Sequence, residues 1–227
     1  LSEANLLSKS SLKEVNDGDV IKIGKFEVEF IPVTHSVPHA FAASYTTKAG
    51  TVVHSGDFKI DHSPIDGRRT DLARFGEIGN TKNVVLLMSD STGAEKPGTT
   101  GSESSVKTSI DRIFLEHSDK RIVVSTFASH IHRIIQIVES AIANGRKVAF
   151  LGRSLHTNLE VVKKLKIYEI AKKHLIDIEE IDNFANDKVC IIATGSQGEP
   201  LSALSLVASG QSRFISIDEN DCVVFSS

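Results

Sequence analysis

Three runs in the second half of the chain, Ile122-Val123-Val124, Val148-Ala149-Phe150-Leu151 and Val189-Cys190-Ile191-Ile192-Ala193, carry no polar residue at all. They are too short for buried helices and too uniformly apolar for strands with one wet face, so each reads as a strand covered on both sides. Such strands belong to parallel sheets whose crossovers are helices. Suitable helices are written between the runs. Val106, Ile110, Ile113 and Phe114 share one helical face behind Ser102, a residue suited to an N-cap. A second helix is predicted from about Ser129 to Ala143, stopped by Asn144-Gly145, and a third near Thr157 to Leu165 ahead of a Lys-rich surface stretch. This alternation predicts a doubly wound α/β unit.

Before residue 100 the rhythm is different. Val20-Ile21-Lys22-Ile23, Phe26-Glu27-Val28-Glu29-Phe30-Ile31 and Phe41-Ala42-Ala43-Ser44-Tyr45 are short alternating or apolar runs, with Gly24-Lys25 and Ala49-Gly50 between runs. They predict antiparallel strands joined by tight turns. The Gly/Thr/Ser-rich stretch Gly98-Thr99-Thr100-Gly101-Ser102 separates the two rhythms, so a domain 1–101 is expected ahead of a domain 102–227.

The bulk properties exclude little. A chain of 227 residues, 40% apolar and 24% charged, is long enough for one large domain or two smaller ones. Folding at this length removes roughly 70% of the unfolded surface from water, so no structural metal is required and any metal is expected to be catalytic. A formal charge of -3 rules out a uniformly basic surface. Nucleic-acid binding needs only a local basic groove and stays open. Cys190 and Cys222 lack a Cys-x-x-Cys spacing and read as reduced core residues of a cytoplasmic protein. There is no signal-peptide pattern at Leu1-Ser2-Glu3-Ala4 and no run of about 18 apolar residues, so no membrane association is expected. The chain starts without Met and stops at Ser227 just after the strand-like Cys222-Val223-Val224-Phe225, which suggests a segment of something longer.

Chemistry-bearing residues collect at predicted strand ends. His35 closes Phe30-Ile31-Pro32-Val33-Thr34, Asp57 follows Thr51-Val52-Val53-His54-Ser55-Gly56, and Asp90 follows Asn83-Val84-Val85-Leu86-Leu87-Met88-Ser89. Imidazole and carboxylate suit zinc or manganese in a hydrolytic site. Bland readings stand beside these: His35 can cap a turn, and Asp90 can be a turn acid rather than a general acid. His54 lies three residues before Asp57, on the opposite face of a strand, and reads as a packing residue or a partner orienting a ligand. His39, His62, His117, His156 and His174 read as solvent-exposed. Ser129-His130-Ile131 and Thr194-Gly195-Ser196-Gln197-Gly198-Glu199-Pro200 each lie between a parallel strand and a helix, where backbone N–H groups can meet phosphate.

The series Val33-Thr34-His35-Ser36-Val37-Pro38, Val53-His54-Ser55-Gly56-Asp57-Phe58-Lys59, Leu87-Met88-Ser89-Asp90-Ser91-Thr92, Thr126-Phe127-Ala128-Ser129 and Ala193-Thr194-Gly195-Ser196-Gln197-Gly198-Glu199-Pro200 resembles bacterial ribonuclease J, in order and along essentially the whole chain. The resemblance implies a partial metallo-β-lactamase αββα sandwich followed by a β-CASP α/β domain. It implies His35 as a zinc ligand, Asp57 as a carboxylate bridging two metals, Asp90 as proton donor, and Ser129, His130 and Ile131 as RNA contacts. Position 130 holds His where the family usually has Asn. The family's His-x-His-x-Asp-His motif and its later histidines do not occur in this sequence.

The same resemblance implies a metal-dependent RNA hydrolase with 5′-to-3′ exonuclease and endonuclease action, and a chain inactive alone for want of ligands. Two zinc ions per complete site are expected, with manganese or magnesium as alternatives. Single-stranded RNA with a 5′-monophosphate is the expected partner, and a homo-oligomer the expected full-length assembly. Competing expectations are a related hydrolase acting on DNA or a small ester, and a noncatalytic RNA-binding module.

Overall fold

A computed structural model describes residues 6–226, so the expectation drawn from the ends Leu1 and Ser227 lies outside the described residues. The chain forms two compact units. One takes the residues up to His35, His39–Asp61 and Arg68–Thr100; the other takes Ser36–Pro38, His62–Gly67 and the chain from Gly101 onward.

The first unit is a five-stranded sheet in sequence order, β1 (Val20–Ile23), β2 (Phe26–Pro32), β3 (Phe41–Thr47), β4 (Gly50–His54) and β5 (Val84–Met88). The first four pair antiparallel, as the alternating runs predict, and β5 joins β4 parallel. Gly24 opens the β1–β2 turn at φ +60°, a conformation that glycine adopts freely. Helix α1 (Leu72–Thr81) supplies the crossover that a parallel pair requires. The sequence pattern does not announce this helix. Its inner face brings buried Ile78 and half-buried Phe75 onto Ile31, Val33, Ala42 and Val53 of the sheet. Burying a side chain such as Ile78 contributes about 1.5–3 kcal/mol, enough to hold a helix of middling propensity.

The second unit is the predicted doubly wound layer. Its sheet, β6 (Arg121–Ser125), β7 (Lys147–Leu151), β8 (Val189–Ala193) and β9 (Asp221–Phe225), is parallel throughout in the order β7-β8-β6-β9. Every residue of β6 and β8 is buried. Alternate residues feed opposite cores. Ile122, Val124, Val148, Phe150, Cys190 and Ile192 face one core; Val123, Ala149, Leu151, Val189, Ile191 and Ala193 face the other. The first core is closed by α2 (Glu103–Glu116), α3 (Ile131–Ala143) and α4 (Arg153–Lys164), and the second by Ile181 and by α5 (Ala203–Ala208) through Val207. The mixed α/β class is therefore as read from the sequence, as are the Ser102 cap, whose side chain accepts from the Ser104 N–H, and the stop at Asn144. Helix α4 starts at Arg153, four residues before its predicted start, because Gly152 at the end of β7 takes the N-cap position. Cys190 and Cys222 are both free, the first fully buried and the second partly.

Candidate active site

His35 and Asp57 are far apart in sequence and meet because of one backbone bridge. Thr34 and Lys59 form an isolated antiparallel bridge, with the Lys59 N–H donating to the Thr34 carbonyl at 2.8 Å. Residues on either side of that bridge run back along each other, which brings His35 Nε2 to 3.9 Å from Asp57 Oδ2. The surrounding loop is pinned from several sides. Thr34 donates its hydroxyl to the Arg68 carbonyl, and its N–H to Thr70 Oγ1, which in turn donates to the Lys59 carbonyl. Arg68 donates to the Val33 and Ala40 carbonyls at 3.0 and 2.7 Å, pairs with Asp17, and lies over the Phe41 ring at 4.7 Å from its centroid.

The turn that carries Asp57 is equally constrained. Gly56 sits at φ +60°, and a Cβ there would stand 2.8 Å from the Phe41 carbonyl oxygen. Its N–H donates to His54 Nδ1 at 3.2 Å. His54 is exposed, so its role is to hold this turn and not to pack as the strand pattern suggested. The neighbouring Ser55 is buried, donates its N–H to the Met88 carbonyl, and accepts from the Asp90 N–H at 2.8 Å. Ser55 thus couples the ends of β4 and β5. Ser55, Arg68 and Thr70 are the positioning residues that sequence reasoning missed; only Ser55 had a signal, its place inside Ser55-Gly56-Asp57.

Asp90 forms an Asx turn, its Oδ1 accepting from the Thr92 N–H at 2.8 Å. That bond and then the Thr92 hydroxyl outweigh the opposing effect of burial, with the Phe58 N–H and the nearby His35 acting in the same direction, and hold its carboxyl below the usual carboxylate range. The turn-acid geometry is present, and the carboxyl is tuned toward the anion rather than toward a neutral-pH acid.

Two donors each roughly 2.1 Å from one zinc ion stand about 3.4 Å apart at a tetrahedral angle and up to ~4.2 Å apart when opposed. The 3.9 Å separation of His35 Nε2 and Asp57 Oδ2 lies between these limits, within reach of one shared divalent ion and wider than a tetrahedral pair. Among the described residues no group of three or more His, Cys, Asp and Glu side chains is gathered for a metal. A closed site needs further donors beside these two.

In the second unit the two predicted contact loops end adjacent strands, β6 and β8, and the Thr126 N–H donates to the Ala193 carbonyl between them. The helices that follow these strands, α3 and α5, pack on opposite faces of the sheet. Their divergence makes the crevice between the loops a topological switch point, where open α/β sheets bind ligands. Ser129 is exposed there. His130 is buried with Nε2 3.6 Å from Glu103 Oε2, and the Ile131 side chain is packed into the core at 4% exposure. The N–H groups of His130 and Ile131 donate to the Phe127 and Ser129 carbonyls, so they are spent on the turn and not aimed out of the helix as expected from the sequence.

The family model described as ribonuclease J, β-CASP domain, matches residues 119–227. Ribonuclease J of Helicobacter pylori is 42% identical over 96% of this chain, that of Mycobacterium tuberculosis 44% over 94%, and that of Synechocystis sp. 41% over 100%. The chain spans 31%, 38% and 35% of those three relatives, about a third of their length. A crystal structure of a protein of unknown function from Enterococcus faecalis V583 has the same fold, with a TM-score of 0.59 at 17% identity over 94% of this chain and 57% of that one. With identity above 40% sustained along nearly the whole sequence, and the β-CASP match in its second half, the chain belongs to the ribonuclease J family.

Proposed function

We propose that this chain contributes part of the active site and part of the RNA-binding surface of a metal-dependent enzyme that hydrolyses RNA phosphodiester bonds. The observation that carries the reading is the approach of His35 to Asp57 at 3.9 Å, beside a carboxylate held anionic at Asp90. His35 Nε2 and the Asp57 carboxylate would hold a divalent ion, zinc or alternatively manganese or magnesium. When bound, such an ion lowers the pKa of water and offsets charge developing on the phosphoryl group.

Asp90 is charged at neutral pH, so it must take up a proton before giving one to a departing 3′ oxygen. A substrate phosphate brought beside it supplies like charge and moves its pKa in the required direction. The crevice between the loops after β6 and β8 would receive the RNA backbone, with the Ser129 hydroxyl and the Thr194–Ser202 backbone as contacts. Preference for a 5′-monophosphate, both exonuclease and endonuclease action, cytoplasmic location and homo-oligomeric assembly belong to the same proposal.

In the active enzyme Asp57→Ala should abolish RNA hydrolysis. Loss of several kcal/mol of metal-derived stabilisation corresponds to roughly a thousandfold or more in rate. Retained turnover with metal in excess overturns the assignment. The 227-residue chain alone should hydrolyse RNA negligibly, since two donors do not close a site. That same shortage of donors among the described residues favours a second reading, RNA binding without turnover; RNA affinity unchanged by Asp57→Ala, with no hydrolysis by any protein containing this chain, would decide for it.

A further inference from the structure

A cleft of about 510 Å³ opens at the carboxyl end of β7, bounded by Gly152, Arg153, Leu201, Gln211, Arg213 and Phe214. Its described lining residues include two arginines and no carboxylate. Among the described residues neither guanidinium is in an ion pair. The Arg213 guanidinium is held over the Phe214 ring, 4.6 Å from its centroid.

This wall is fixed rather than loose. Ser212 Oγ accepts from the N–H groups of Phe214 and Ile215, Ile215 is buried in the core, and the N–H groups of Gln211 and Ser212 donate to the Leu206 carbonyl. The floor is backbone by necessity. Gly152 sits at φ +131°, and a Cβ there would stand 2.8 Å from Thr194 Oγ1. Leu201, 82% exposed and at φ +62°, supplies an apolar rim from the loop that follows β8.

We propose that this cleft is a nucleotide subsite for single-stranded RNA, with a base stacked on the Arg213 guanidinium and a backbone phosphate on Arg153. The inference rests on the RNA reading above and extends it to a place outside the crevice between β6 and β8. A guanidinium already laid on an aromatic ring is a preformed stacking platform, and any base offers the matching π face. The uncompensated cations and the lack of acids select a polyanion. Strand β7 lies two positions from β6 in the sheet, about 10 Å at ordinary strand spacing. Strand β8 is the direct neighbour of β7, and its loop both edges the crevice and supplies Leu201 to the cleft, so an oligonucleotide seated at the switch point can run on into the cleft.

The test is fluorescence anisotropy at low salt on the 227-residue chain, with 3′-labelled, 5′-phosphorylated oligoadenylates of two and six nucleotides. Arg213 and Arg153 are exposed, so Arg213→Glu and Arg153→Glu should fold normally. Each should weaken hexanucleotide binding roughly tenfold or more and weaken dinucleotide binding by a smaller factor, because the short strand is shared between the cleft and the crevice. Replacing the inner bases of the hexanucleotide by abasic sites should weaken wild-type binding similarly and add little to Arg213→Glu. Hexanucleotide binding indifferent to both substitutions overturns the subsite while the RNA reading stands. Equal wild-type affinity for intact and abasic strands removes the stacking role and also overturns it. An acidic peptide that displaces neither RNA supports the assignment, whereas one that binds the wild type but not Arg213→Glu, with RNA unaffected, assigns the cleft to a protein partner instead. Wild-type chain that binds neither oligonucleotide overturns both readings.

Discussion

At the scale of single residues, the geometry that brings His35 to Asp57 depends on groups with no catalytic chemistry of their own. Gly56 is the sharpest case, because it meets two separate constraints, a positive φ and a close approach to the Phe41 carbonyl. Gly67 also has a positive φ, +72°, but nothing lies within 4 Å of a Cβ placed there. Gly67→Ala should therefore lose only the conformational term, about 1 kcal/mol, whereas Gly56→Ala should lose ~3 kcal/mol or more because the chain must also move away from the carbonyl. Urea unfolding of both variants measures this; equal losses would show that the contact at Phe41 does not matter. Much of this was legible. Ser55-Gly56-Asp57 after an apolar run announces a strand ending in a presented carboxylate. Arg68 was not legible, because its acceptors are the backbone carbonyls of Val33 and Ala40, which no side-chain pattern reports.

At the scale of elements, α1 shows why a real helix can be missed. Leu72–Thr81 contains Gly76 and Gly79, each about 1 kcal/mol worse than Ala in a helix, so local propensity hides what tertiary contacts stabilise. Asp71 caps it, its side chain accepting from the Arg74 N–H. The helix is tied to the sheet by Glu29 on β2, a carboxylate 4% exposed that accepts from Arg74 Nε and Nη2 and from Lys82 Nζ. The Arg74 hydrogen bond, reinforced by Lys82, holds the Glu29 carboxyl below its ordinary value against the opposing effect of burial. A carboxyl whose folded pKa is depressed stabilises the fold above the unfolded pKa, about 4.3, and ceases to do so as pH falls through the lower folded value. Glu29→Gln should then be less stable than wild type by about 3 kcal/mol at neutral pH, since it leaves Arg74 and Lys82 without their buried anion. The gap should close only as the pH falls through the depressed folded value, where the wild-type carboxyl is itself protonated. Denaturant curves across that range test the sign, and a gap constant with pH would remove the ion pair as the tie between α1 and β2.

At the scale of the whole molecule, the change of rhythm near residue 100 accompanies a change of sheet type, from mostly antiparallel to wholly parallel, because alternating and uninterrupted apolar runs have different burial requirements. It did not foretell that Ser36–Pro38 and His62–Gly67 group with the second unit, since such grouping arises from contacts and leaves no periodicity. Nor did it foretell the state of β5. Among the described residues, that strand pairs only with β4, yet Val85, Leu86, Leu87 and Met88 are all between 49% and 60% exposed. Apolar residues exposed on both faces of an uncharged edge strand are an invitation to pair with another chain. The opposite edge, β1, is protected better, being four residues long with Lys22 among them. The 227-residue chain in isolation should accordingly associate through β5 as its concentration rises. Leu87→Lys should suppress that association by placing a charge on the edge, and a second lysine at Ile23 on β1 should change it little. Light scattering over a concentration series distinguishes the two edges. A wild-type chain that stays monodisperse throughout, or variants that respond alike, would mean that the apolar strand is shielded in solution by its own chain.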